Sequence, residues 1–289
     1  MSSGDFGDSI PPEYTQDYDA AVRAEQEELQ AAPPVYGDDG QPIECRMGLV
    51  ASPDDFDGLP KFSGTVPLID KSQWQDISFA DYDVPITYQR QNGCVGHGAT
   101  SAFQKAWLMS GGTPHDFSPT YTYAMINGGR DQGAQITSAL RSLQNGVCLF
   151  EQCGEETYFK SKIKPEAFET AKRFRLADAY VADSPEAAGS GLQLGYILVL
   201  GVTVNAAFQA FRGTGVCPSG MGPANHCIYA DGMRLVNGVW LLDVINSWST
   251  AWGNKGRALF PLNKIAREMF LVRSVILDPQ ETLFPPAAG

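Results

Sequence analysis

The feature that most constrains the fold is a change of periodicity past the middle of the chain. After about Tyr180 the sequence breaks into short apolar or alternating runs, LQLGYILVLGVTVNAAF, HCIYADGMRL, GVWLLDVINSW and GRALFPL, separated by Gly and Asn. Runs of that length between turn-forming residues predict β-strands. The earlier part reads differently. In CVGHGATSAFQKAWLMSGG, Ala99, Ala102, Phe103, Ala106 and Trp107 fall at i, i+3, i+4, i+7 and i+8, and Gly111-Gly112 supplies a stop. A buried helix is therefore expected to begin at, or just before, Cys94. Further helices are expected over 118–126, 136–146 and 165–175, with extended or looping segments in VPLIDKSQWQDIS and DYDVPITYQRQNG. Helices first and strands second predict an α+β domain over 61–289, with a helical subdomain at about 61–178 and a β subdomain at about 179–289.

Residues 1–60 stand apart. They hold 14 Asp/Glu and two basic residues, Arg23 and Arg46, so they account for the whole net charge of −12. Prolines punctuate them, among them Pro11, Pro12, Pro33, Pro34 and Pro42, and one helix-compatible run lies near 18–31. That run has too few large apolar residues to build a core. An acidic, largely extended arm is expected, either solvated or docked on the chain's own body or on a partner protein. A neutral body with an acidic arm lacks the basic stripe that nucleic acid requires. No run approaches the roughly 18 apolar residues of a membrane span. MSSGDFGDSIPPEYTQ has no basic or apolar leader pattern, so no secretory signal and a cytoplasmic location are expected.

Cysteine and histidine usage narrows the chemistry. The six cysteines form no CxxC pair, so neither a metal site nor a cofactor is expected. Cys148 and Cys153 could pair or bind metal, but reduced thiols are the simpler reading without a secretory signal. A thiol attacks as thiolate, and a helix N-terminus lowers its pKa from about 8.5. Cys94 is placed where that happens. Such a nucleophile needs a base, and the base needs an orienting partner. Of the three histidines, His226 opens an apolar strand, and Asn246 ends the next strong one. Adjacent strands would set them side by side. His115 reads as a turn residue and Cys227 as core, facing opposite to His226.

These segments resemble the papain-like (C1) cysteine peptidases, with a flavour of the bacterial and phage-borne branch. QRQNGCVGHGATSAF is similar to the family's Gln…Cys helix, NHCIYADGM to its His strand, and NSWSTAWGNKGRALF to its Asn-Ser-Trp motif, with Ser249 replacing a Gly. His226 follows Cys94 by 132 residues, inside the expected range of about 130–150. The resemblance implies a two-subdomain fold, with a helical half around the Cys helix and an antiparallel β-barrel-like half. It implies peptide-bond hydrolysis by an endopeptidase through Cys94, His226 and Asn246, without cofactor. Gln89, or else Gln91, would complete the oxyanion hole, Trp248 would cover the His226–Asn246 bond, and Gly128, Gly129 and Gly133 would line the substrate strand. It also allows a virion-associated location if the chain is phage-encoded.

The family spaces its Gln six before the Cys, whereas Gln89 is five before Cys94 and Gln91 three. A second register therefore stays open, in which Gln91 is the family Gln, Cys94 a structural cysteine and His97 stands at the nucleophile position. That register implies an inactive structural or interaction protein. A Cys/His peptidoglycan amidase is the remaining alternative. No long inhibitory prodomain is visible in the first 60 residues.

Overall fold

The computed structural model describes residues 12–37, 40–265, 267–273 and 275–276, with side chains from residue 18 onward. Helix α1 (Pro12–Ala31) opens the described chain. The arm is thus helical over 20 residues, further than the 18–31 run suggested and less extended than expected.

The helical half is organised around α2 (Cys94–Met109), whose residues from Cys94 to Trp107 are all buried. A helix covered on every side, its few polar residues included, is the centre of the fold. Against it pack α3 (Pro119–Ile126), capped by Ser118 Oγ accepting from Tyr121 N, and α4 (Ile136–Asn145). α4 stops where Gly146 takes φ +127, a left-handed value that Gly tolerates. A Cβ there would stand 2.0 Å from Ala171 O. α5 (Pro165–Ala171) follows. Trp107, Phe117 and Phe174 meet edge to face in this core, and His115 lies against all three rings.

The second half holds one antiparallel sheet. Its strands are β1 (Ile77–Ser78), β2 (Ala179–Val181), β3 (Ile197–Val202), β4 (His226–Val236), β5 (Val239–Ile245), β6 (Arg257–Pro261) and β7 (Met269–Val272). The order is β2-β7-β3-β4-β5-β6, with β1 added beside β4. Asn237-Gly238, both at positive φ, close the β4–β5 hairpin, the residue pair that a tight primed turn favours. No ladder joins β2 to β6 among the described residues, so the half is an open sheet and the barrel-like expectation is corrected. Helix α6 (Pro185–Gln193) lies in a stretch read partly as strand. Its Gly189 and Gly191 are not breakers but contact points, where a Cβ would come within 2.5 Å of Trp74 and Leu271. The short α7 (Ala206–Gln209) is capped by the Asn205 side chain.

The two halves are pinned by buried charge. Lys105 of α2 meets Asp231 of β4 at 2.9 Å, both side chains fully buried. Arg257 of β6 donates to both oxygens of the same carboxylate, at 3.0 and 3.1 Å. Lys105 Nζ also donates to the carbonyls of Phe79 and Tyr82. A charge buried this deeply persists only when so matched.

Candidate active site

The site forms where α2 begins against the first residues of β4 and the last of β5. Cys94 is the first residue of α2, with Gly93 as its cap, so the unpaired amides of the first turn surround its sulfur. The backbone amides of Cys227, Gly48, Val95 and Cys94 itself lie close enough to the sulfur to favour its thiolate. Cys227 directly follows His226, which places the thiol at the start of the His strand. Burial outweighs these contacts and pushes the thiol up to about 11.

His226 Nε2 donates to Asn246 Oδ1 at 2.8 Å, which leaves the Nδ1 lone pair to take a proton. That Nδ1 is buried and has no hydrogen bond among the described residues. Asn246 Oδ1 also accepts from Ser247 N at 2.8 Å. Trp248 stacks on the imidazole at 4.5 Å, and Phe208 abuts both rings edge-on. Water is thereby kept from the His226–Asn246 bond. Burial pulls His226 down to about 4, with the Asn246 contact opposing part of that fall.

Gln89 lies beside this pair. Its backbone amide donates to Ser247 O at 2.9 Å, and its Oε1 accepts from Ser247 Oγ at 2.5 Å. The amide group is thus turned so that Nε2 points into the cleft, where it donates to Arg46 O at 3.0 Å. Trp248 Nε1 donates to the same carbonyl at 3.0 Å. Gln91 points elsewhere, to Glu155 O at 2.9 Å. His97 lies one turn into α2 and is 1% exposed.

The cleft is filled by the chain's own arm. Leu49 and Ala134 form a parallel bridge: Ala134 N donates to Gly48 O at 2.8 Å and Val50 N to Ala134 O at 2.9 Å. On the other wall, Leu49 N donates to Asn225 O at 3.1 Å. Gly48 crosses so closely that a Cβ would stand 1.9 Å from Asn92 O. Gly133 is the other close approach, at φ +89, where a Cβ would stand 2.3 Å from Gly48 O. Gly128 and Gly129 do not join it. They turn at positive φ with open space around them. Of the three expected glycines, only Gly133 meets the strand in the cleft.

Further contacts anchor the arm on both sides. Glu268 accepts from Ser52 N and Oγ at 3.0 and 2.7 Å. Glu25 of α1 accepts from Met221 N at 2.7 Å, and Tyr18 Oη from Gly222 N at 3.0 Å. Sequence reasoning missed Ser247, which aims Gln89, and Asp131, which accepts from Asn92 N and Tyr123 Oη at 2.8 and 2.7 Å and so shapes the wall. Ser247 was legible as the middle of Asn-Ser-Trp. Asp131 carried no distinguishing signal. All six cysteines are free, and no cluster able to hold a metal ion occurs among the described residues. No described helix is long and apolar enough to cross a membrane.

No protein-family model matches the sequence, and no curated protein matches it. Solved structures do. The digestive procathepsin L 3 of Tenebrio molitor larval midgut superposes with TM-score 0.62 at 13% identity, over 92% of this chain and 94% of that one. The procathepsin B S9 of Trypanosoma congolense gives 0.63 at 15%, over 89% and 98%. The bromelain protease of Ananas comosus, in complex with the E64 inhibitor, gives 0.60 at 17%, over 71% and 99%. Identities this low speak for architecture alone, and the architecture is that of the papain-like cysteine peptidases.

Proposed function

We propose that the chain is a cysteine endopeptidase whose cleft is held shut by its own N-terminal arm. The observation that carries this reading is His226, bonded to Asn246 under the Trp248 ring on the strand that packs against the helix opening at Cys94. The sulfur sits at the amide of the residue after His226, and His226 is oriented by Asn246 with its other nitrogen unengaged. In this reading His226 Nδ1 takes the thiol proton, and the thiolate attacks a peptide carbonyl. Gln89 Nε2 and the Cys94 amide stabilise the oxyanion, the imidazolium protonates the leaving amine, and water then hydrolyses the acyl-enzyme.

The same geometry explains why the arm would not be cut. Gln89 Nε2 already holds a carbonyl, that of Arg46, but the sulfur meets the N–H of Gly48 rather than a carbonyl carbon. The oxyanion donor and the nucleophile are thus engaged by different residues of the arm. Burial by the arm also favours the neutral forms of both Cys94 and His226, so the closed chain stores an uncharged pair.

The test is thiol labelling with an epoxide or iodoacetamide before and after the arm is displaced by limited proteolysis, together with hydrolysis of a fluorogenic peptide. Labelling of Cys94 and hydrolysis should appear together, and Cys94→Ala should abolish both. A Cys94 that stays inert after the arm is gone would refute the peptidase reading and favour the inactive alternative. Cleavage of peptidoglycan but not of peptides would favour the amidase.

A further inference from the structure

A second histidine stands behind the site. His97 on α2 and Asn246 just past β5 line one small cavity, together with Thr87, Ser101 and Ser247. Its volume is about 10 Å³, roughly the room one water molecule needs. His97 is 1% exposed and Asn246 2%. Each presents a buried polar atom with no hydrogen bond among the described residues, His97 Nδ1 and Asn246 Nδ2. Buried polar atoms in folded proteins almost always have a partner. Tyr229, which also lines the cavity, carries a third in its hydroxyl, and so many on one cavity of this size point to a shared partner.

We propose that a single bound water links His97 Nδ1 to Asn246 Nδ2, making His97 a positioning residue for the His226–Asn246 pair. The water accepts from the Asn246 amide and donates to the imidazole lone pair, and Ser101 and Thr87 line the same cavity. This role requires a neutral His97. Burial and the nearby His226 do pull its pKa down to about 3.

The bridge does chemical work. An Asn amide can turn over, exchanging its oxygen for its nitrogen. Turned over, Asn246 would present N–H to His226 Nε2–H, donor against donor. The amide would also lose its acceptor for Ser247 N, which now donates to Oδ1. A water that accepts from Nδ2 fixes the amide from its far side. The inference rests on the peptidase reading only for its kinetic consequence.

The test uses the full-length protein labelled with ¹⁵N at histidine, of which there are three. In the wild type, His226 should be a single Nε2–H tautomer with a slowly exchanging proton. The Asn246 amide should show magnetisation transfer from a long-lived water. His97→Phe removes the acceptor and should speed exchange of the His226 proton ~10-fold, the effect of losing about one hydrogen bond. His97→Asn should restore slow exchange, because its Oδ1 falls near the position of the imidazole Nδ1. An unaltered His226 signal in His97→Phe, or a wild-type Asn246 amide with no long-lived water, would overturn the bridge. If His97→Phe does not fold, the wild-type water measurement decides alone. Peptide hydrolysis after the arm is displaced by limited proteolysis separates the two proposals: an inert enzyme with the bridge intact sinks the peptidase reading only. An active His97→Phe with unchanged kcat and KM sinks the bridge.

Discussion

Replacing Leu49 with alanine should loosen the arm without touching any reacting group. Leu49 is 9% exposed and packs into the helical half's core between the two walls of the cleft. Its Cδ2 lies 2.7 Å from where a Cβ on Gly201 would be, so the facing wall is built around it. Truncation removes three carbons from the contact. At about 0.8 kcal/mol per buried methylene, closure loses about 2 kcal/mol. The backbone bonds of residues 48–50 remain, so the arm should still dock, but its open population should rise ~30-fold at about 1.4 kcal/mol per decade. The assay is pulsed iodoacetamide labelling of the full chain, read residue by residue by mass spectrometry. Cys148, fully buried in the helical core, serves as the clock for global opening. Cys94 should be labelled ~30-fold faster, with the Cys148 rate nearly unchanged. Equal acceleration at both thiols would mean that Leu49 holds the whole fold, and no change at Cys94 would mean that the arm does not guard it.

Two further outcomes follow from the buried charges and titrating groups. His226 titrates near 4 and His97 near 3 when buried, against about 6.5 in an unfolded chain. Between those values only the unfolded or opened state binds the protons. Their stabilisation is therefore whole above about pH 6.5 and drains away as pH falls toward 4, on the order of 3 kcal/mol for His226. Cys94, raised to about 11, makes the opposite limb, with stability falling as pH climbs past the unfolded thiol's ~8.5. Urea midpoints should peak near neutral pH, and a midpoint rising into acid would contradict the burial of both imidazoles. Lys105→Met should destabilise the chain by about 3 kcal/mol, because it leaves Asp231 with only Arg257 and frees the carbonyls of Phe79 and Tyr82. A melt within a degree or so of wild type would show the ion cluster to be dispensable.

The parts of this molecule that were legible in its sequence are those written in side chains. Asn-Ser-Trp after a strand opening on His226 gave both partners of the 2.8 Å bond and the ring stacked over it. The i, i+3, i+4 spacing of Ala99, Ala102 and Phe103 gave the central helix. What could not be read was written in backbone. The arm pairs through the amides and carbonyls of residues 46–50, which every residue possesses, and only Gly48 left a trace of the close crossing. Gln89 stood one position short of the family spacing, and its orientation became visible only through Ser247 Oγ. Helix α6 was obscured because Gly189 and Gly191 look like breakers when their real requirement is contact with Trp74 and Leu271.

The arm is continuous with the body that it covers. Past Asp54 the chain returns to the sheet, where Val181 N donates to Pro60 O at 2.9 Å and Phe62 is fully buried. Closure is therefore a tethered event, with an effective concentration on the order of millimolar for so short a linker, and diluting the intact chain should not open it. The stretch between those anchors exposes Asp54, Asp55, Asp57 and Gly58. A single nick there would leave every contact in the cleft as it is but make rebinding bimolecular. From then on dilution alone would empty the cleft, so one severed peptide bond would turn a concentration-independent latch into a dissociable ligand.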